Sequence, residues 1–238
     1  MIFLGGYLYY AIFVDDFSRK TWIYFLKKKD EVFKWFHSFK ALVENQTGKK
    51  IKILRIDNGT EYESKECNDY CREVGIKRET TITYTLEQNV VVEKKNGTII
   101  EATCAMLHDK DLPKCLWGES ANIVVYVQNR CLHQALDFKT HEEVFIGKKH
   151  DVSHFRIFGC HIYFHVPKEK RNKLDASRKK GTFVGYSETL KAYRTYVLGQ
   201  REVEISHDAT FDEDSALRKV RDLLIPRKDN NNDDNVGK

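Results

Sequence analysis

The sequence predicts an α/β region followed by a small all-β domain, and three observations carry that reading. Two strand-like apolar runs face each other across a polar turn in the first 26 residues. Apolar stripes with helical spacing then alternate with short strand-like runs as far as residue 130. From Phe155 the apolar period changes to two.

Taken in order, Tyr7 to Val14 reads as one strand, Asp15 to Lys20 as a turn and Thr21 to Leu26 as the returning strand. Asp30 is placed to cap a helix running to about Glu44, with Val32, Phe36, Phe39 and Val43 on its buried stripe. Gly48 and two lysines lead into Ile51 to Ile56, which reads as a mostly buried strand. Asp57 follows, and Asn58-Gly59 signals a turn, so Asp57 is expected at the carboxyl end of that strand, the edge where open α/β sheets bind ligands. Ser64 is expected to cap a helix with Cys67, Tyr70, Cys71 and Val74 on one stripe, stopped by Gly75.

Ile76 to Tyr84 is β-prone. A helix is expected from about Val90 to Asp109, with Glu93, Gly97, Ile100, Cys104 and Leu107 on its inward stripe. Pro113 begins another helix, ending near Arg130, with Trp117, Ala121 and Val124 on one side. Residues 132–149 read as polar and linker-like. Beyond them, Ile162, Phe164 and Val166 alternate with His161, Tyr163 and His165. Further short β segments are expected at Gly181 to Tyr186, Ala192 to Leu198 and Glu202 to Phe211, which together suggest a small barrel. The Asn/Asp-rich tail is expected to be disordered.

Composition bounds the function classes. With 41% hydrophobic and 12% aromatic residues in 238, a packed core is within reach and global disorder is excluded. A net charge of +5 permits nucleic-acid binding without requiring it. Six cysteines without a secretory signal read as reduced thiols in an intracellular protein. Cys67 and Cys71, four apart on a helical pattern, read as core positions rather than zinc ligands. No apolar run has the length of a membrane span, so no membrane partner is expected.

Two carboxylates stand out, Asp57 and Glu93, with 35 residues between them. Each alone reads as an ordinary turn or first-turn helix residue. Together with Asp57-Asn58-Gly59, Tyr84-Thr85, Gln88-Asn89 and Glu93-Lys94-Lys95-Asn96, they resemble the core of retroviral-type integrases, and more narrowly that of copia-type retrotransposon polyproteins. The words FGC, LDASRKKGTFVGY and HDATFDED, within residues 158–214, resemble the SH3-like domain that follows that core. The resemblance covers about residues 3 to 214. It implies a ribonuclease-H-like core over residues 1–150, an SH3-like β domain over 151–214 and a polar tail over 215–238.

The resemblance also implies a chemistry. Integrases join DNA by in-line displacement at phosphorus with two Mg²⁺ (or Mn²⁺) ions, which prefer oxygen ligands. Asp57 and Glu93 correspond to two of the family's three carboxylates. The third lies on a strand just ahead of the hairpin, and this sequence starts after it, so the expected state is a core lacking its first strand and unable to perform strand transfer. The hairpin-turn Asp15 and Asp16 are not the family's catalytic residues and read as turn formers. Val90 stands where the family usually has Gly, implying strain if that backbone needs positive φ; Thr83 and Leu86 stand where it has Pro. Lys94 replaces a commoner Arg.

The expected partners are element-end and target DNA, with a homo-oligomer possible and no small-molecule substrate; nuclear localisation follows from the resemblance alone. Candidate DNA contacts are Asn89, Lys94 and Lys95, together with Lys168, Lys170, Arg171, Lys173, Arg178, Lys179 and Lys180. These last seven stand against two acids in a segment expected to be a loop, a local charge of +5. The rival readings are a non-catalytic nucleic-acid-binding or protein-interaction remnant, and a ribonuclease H-type nuclease, which the words around Glu93 disfavour.

Overall fold

The computed structural model describes residues 3–56, 65–80, 86–166, 171–172, 176–187 and 190–214, without the side chains of 86–89. The chain divides into two compact units, residues 1–155 with 184–186, and residues 156–183 with 187–238.

The first unit begins with an antiparallel hairpin, β1 (Tyr9–Val14) and β2 (Thr21–Leu26), in register from Tyr9↔Leu26 to Val14↔Thr21. The turn forms because Asp15 Oδ2 accepts from both Ser18 N and Ser18 Oγ at 2.7 Å, the local bonding for which turns select Asp. After a short 3-10 segment comes α1 (Val32–Thr47), with Val32, Phe36, Phe39 and Val43 buried as expected. The cap differs from expectation. Asp30 lies inside the 3-10 turn Lys29–Glu31, and Glu31, the residue before α1, makes no side-chain cap to it; its carboxylate reaches back instead and accepts from Lys27 N at 2.8 Å. Gly48 ends α1 at φ 66.

β3 (Ile53–Ile56) and β4 (Lys77–Thr80) form a separate parallel pair, linked through α2 (Lys65–Glu73). Cys67 and Cys71 are buried on α2, whereas Val74 lies beyond its end and is exposed. β3 is not the mostly buried strand expected. Ile56 is buried, but Ile53 is 44% exposed, since among the described residues β3 is hydrogen-bonded to β4 alone. Ser64 and the 81–85 part of the expected β run lie outside the described residues.

α3 (Leu86–Asp109) and α4 (Trp117–Gln128) pack on each other and on the hairpin. Ile99, Ala121, Val124 and Val125 form that core with Ile12, Ile23 and Phe25. On the other face of β1, Phe13 stacks on Phe39 at 4.5 Å and joins Phe36, Val43, Cys67 and Cys71. The hairpin is thus buried on both faces. The expected inward stripe of α3 is corrected. Ile99, Thr103 and Leu107 are buried, while Glu93, Ile100 and Cys104 are exposed. Close approach to α4 through Thr103, Ser120 and Ala121 sets the helix rotation, with Ser120 Oγ donating to Thr103 O at 3.4 Å. Val90 lies within this helix and is absent from the positive-φ residues, so the expected backbone strain there is also corrected.

Residues 132–149 are not a linker. They form β5 (Leu132–His133), β6 (Lys139–Thr140) and α5 (His141–Ile146), which seat a buried polar cluster described below.

The second unit holds an antiparallel sheet in the order β10-β9-β8-β7-β11, made of β7 (His161–His165), β8 (Arg178–Tyr186), β9 (Tyr193–Val197), β10 (Glu202–Ser206) and β11 (Ala209–Asp212). The period of two is met, with Ile162, Phe164 and Val166 buried. The single run expected over Glu202 to Phe211 is two strands, β10 and β11, broken at His207-Asp208. At Gly181 β8 lies close against β9. A side chain there would clash with Thr195 and come within 2.9 Å of Tyr196 O.

Candidate active site and nucleic-acid face

Among the described residues the β1–β2 and β3–β4 ladders of the first unit are not hydrogen-bonded to each other, and a cavity of about 1080 Å³ lies between them. Its walls are β1, β3, α1 and the first turns of α3. Glu93 and Asn96 from α3 face it, beside Tyr10 from β1 and Ile56 from β3. The amphipathic sequence places Glu93 and Asn96 three residues apart, hence on one helix face. Tyr10 Oη donates to Asn96 Oδ1 at 2.6 Å, fixing α3 against β1. Burial pushes the Tyr10 phenol above its ordinary range, only partly offset by that bond.

Asp57 itself lies outside the described residues, but it directly follows Ile56, which lines the same cavity as Glu93. Asn89 has its backbone in α3 and its side chain outside the description. Lys94 is exposed, whereas Lys95 is partly buried, and desolvation pushes its ammonium below the usual lysine range. Lys94 is therefore the better placed of the two for a phosphate. Asp16 bonds Arg19 at 2.7 Å and Arg55 at 3.1 Å, so its carboxylate is committed to guanidinium groups.

A polar cluster that the sequence reading missed braces the hairpin. Lys20 Nζ lies 2.8 Å from Glu142 Oε1, with both side chains buried, and sits over the rings of Trp22 (4.8 Å) and Phe145 (4.6 Å). Asn129 accepts from Thr21 N and donates to Thr21 O, at 3.0 and 2.7 Å. His141 Nδ1 lies 2.7 Å from Ser18 O, a carbonyl, so that nitrogen carries the proton and donates. Desolvation pushes the Lys20 ammonium down despite Glu142, and pushes the His141 imidazole down as well. No motif marks this cluster. Its members come from separate segments and meet only in three dimensions.

In the second unit, alternation puts Tyr163 and His165 on the exposed side of β7. Cross-strand register sets Lys180 opposite Tyr163 and Arg178 opposite His165. Lys180 Nζ is 6.0 Å from the Tyr163 ring centre. Tyr163, His165, Arg178 and Thr210 also line a cavity of about 360 Å³. Arg178 to Lys180 therefore belong to a strand and not to the expected loop. Lys179 is turned the other way, beside Phe164, with its ammonium 3.5 Å from Glu204. Arg171 is described and partly buried; Lys168, Lys170 and Lys173 lie outside the described residues.

Comparison with known proteins agrees with this architecture. Residues 2–85 match the integrase core domain family, and residues 160–223 match the retroviral polymerase SH3-like domain family. The retrovirus-related Pol polyprotein from transposon TNT 1-94 of Nicotiana tabacum is 42% identical over 220 residues, 92% of this chain. Those from transposons RE2 and RE1 of Arabidopsis thaliana are each 33% identical, over 88% and 87% of the chain. The chain spans 14 to 16% of the length of these curated relatives. Among solved structures, the simian T-cell lymphotropic virus intasome in complex with PP2A regulatory subunit B56 gamma aligns at a TM-score of 0.46 and 17% identity, over 85% of this chain and 71% of that one. The HTLV-2 integrase catalytic core domain in complex with magnesium, trimeric form, aligns at 0.43 and 23% identity, over 56% and 82%.

The chain is thus an integrase core followed by a retroviral SH3-like domain. Over most of its length it is similar to the retrovirus-related Pol polyproteins of these plant transposons.

Proposed function

We propose that this chain is the DNA-joining region of its polyprotein, with Asp57 and Glu93 as two carboxylates of a divalent-metal site and DNA as substrate. The observation that carries the reading is that Glu93 and the end of β3, which leads into Asp57, border one cavity. The donor set is chemically suitable but small. Carboxylate oxygens suit Mg²⁺ or Mn²⁺, while among the described residues no group of three or more His, Cys, Asp or Glu gathers to hold a metal. When bound, the ion supplies charge neutralisation at a phosphate and lowers the pKa of an attacking hydroxyl. The chain's own part is to place Glu93 through the Tyr10–Asn96 bond, to meet phosphate with Lys94, and to hold DNA on the Tyr163–Lys180 face of the second unit.

The test is strand transfer on DNA bearing matched element ends. It compares the chain as written with one extended ahead of Met1 by an Asp-bearing strand, each with and without Glu93→Gln. Mg²⁺-dependent transfer only in the extended chain, abolished by Glu93→Gln, supports the reading. Transfer by the unextended chain would show that another carboxylate completes the site. Transfer that survives Glu93→Gln would overturn the assignment of Glu93.

A further inference from the structure

Alternation leaves two rings standing on one face of β7. Tyr163 and His165 are two residues apart, so their side chains leave the sheet on the same side, about 6.8 Å from each other along the strand. Stacked bases lie about 3.4 Å apart. A single flat base set between the two rings would therefore lie about 3.4 Å from each, in stacking contact on both of its faces.

The neighbouring strands build the rest of the slot. Thr210 of β11 and Lys180 of β8 flank Tyr163. His165 N donates to Asp208 O at 3.2 Å, and Arg178 lies opposite His165 on β8. Two rows thus cross the sheet, Thr210–Tyr163–Lys180 and Asp208–His165–Arg178, and all six residues are exposed. Tyr163, His165, Arg178, Asp208 and Thr210 line the cavity of about 360 Å³. Thr210 and Asp208 are short and keep it open toward β11, whereas Arg178 and Lys180 put cations at its β8 end. Asp208 and Arg178 are two strand spacings apart, about 9.6 Å. A nucleotide covers a comparable span from the outer edge of its base to its phosphate.

The carboxylate decides which base fits. An ionised Asp only accepts hydrogen bonds, and its two oxygens take two parallel donors. Guanine alone presents two adjacent donors on its Watson–Crick edge, N1–H and the N2 amino group. Adenine and cytosine each set a ring-nitrogen acceptor beside their amino group, and thymine sets carbonyls on both sides of its one N–H, so each would place a lone pair against the carboxylate. In a duplex the guanine edge is taken up by cytosine, so only an unpaired base can use it.

We propose that this cavity is a slot for one unpaired guanine of single-stranded DNA, stacked between Tyr163 and His165, paired through its Watson–Crick edge with Asp208, and held at its phosphate by Arg178 and Lys180. The proposal rests on the reading of this face as the one that holds DNA, and it adds the base and the strandedness.

The test uses the full chain and labelled thymidine decamers carrying one central dG, dA, dC or deoxyinosine, with a duplex of the dG decamer alongside. Deoxyinosine keeps N1–H and lacks the N2 amino group. Fluorescence anisotropy should show the dG decamer bound at least about fivefold more tightly than the other three, the lower bound for a good bidentate base contact. Asp208→Ala should bring the four affinities together. Its backbone carbonyl, which holds His165 N and Ser206 Oγ, is kept, and the ratio between decamers is insensitive to the change in overall charge. His165→Ala should weaken the dG decamer by at least about fivefold and leave the duplex unchanged, since it removes one stacking partner. Equal affinity for the four decamers in the wild type, or a dG preference that survives Asp208→Ala, would overturn the slot. If binding in that case still depends on Arg178 and Lys180, the DNA-holding reading of the face stands without it. Failure of every decamer and of the duplex to bind would overturn both.

Discussion

Replacing Arg178 and Lys180 together with Gln should weaken DNA binding and flatten its salt dependence, while Lys179→Gln should do neither. Arg178 and Lys180 are exposed on the same face of β7–β8 as Tyr163 and His165, and Lys179 is turned toward Glu204 at 3.5 Å. Each lost phosphate contact lowers the slope of log K against log salt by about 0.9 on duplex and about 0.7 on single strands. Two contacts give about 1.8 and about 1.4. Between 50 and 200 mM salt the wild type should therefore lose about 12-fold more duplex affinity, and about 7-fold more single-strand affinity, than the double variant. Tyr163→Ala should add a loss on single strands alone, since ring–base stacking contributes about 1–3 kcal/mol per base. Fluorescence anisotropy over a salt series with labelled duplex and single-stranded oligonucleotides measures all of this. If the slope is the same in wild type and double variant, or if Lys179→Gln lowers it as much as either partner, the sheet face is not the phosphate contact.

Three further outcomes follow from the first unit. Glu142→Ala leaves Lys20 buried without its carboxylate and should cost about 3 kcal/mol, at the low end for a broken buried pair because the Trp22 and Phe145 rings still face the ammonium. Lys20→Met with Glu142→Leu should recover most of that in urea unfolding. His141 is held below its ordinary 6.5 by burial, so its contribution is complete above that pH and is lost as pH falls from 6.5 toward the folded-state value. Unfolding free energy should drop over that window, and less in His141→Gln. Val90→Gly should lower stability by a few tenths of a kcal/mol by loosening α3; a gain in stability would point to backbone strain at Val90.

Much of the fold was legible because it rests on local periodicity. The hairpin, the Val32–Val43 stripe of α1, the stop at Gly75 and the alternation of β7 were all readable from spacing. The rotation of α3 was not, because Thr103 and Ser120 are small polar residues whose burial depends on the partner helix and leaves no apolar mark. Residues 132–149 were misread for a related reason. Their order depends on Asn129, His141 and Glu142 finding Thr21, Ser18 and Lys20 more than 100 positions away. At the candidate site, the words around Asp57 and Glu93 were legible, but the Tyr10–Asn96 bond was not, since it joins residues 86 apart. The opposed directions of Lys179 and Lys180 became readable only once β8 replaced the expected loop.

The central claim is that Asp57 and Glu93 together bind a divalent cation. Isothermal calorimetry with Mn²⁺ and Mg²⁺ on wild type, Asp57→Asn and Glu93→Gln tests it most directly. Weak binding of about one ion that either substitution abolishes, with the fold unchanged by circular dichroism, is the predicted result. Equal affinity in all three chains would contradict it.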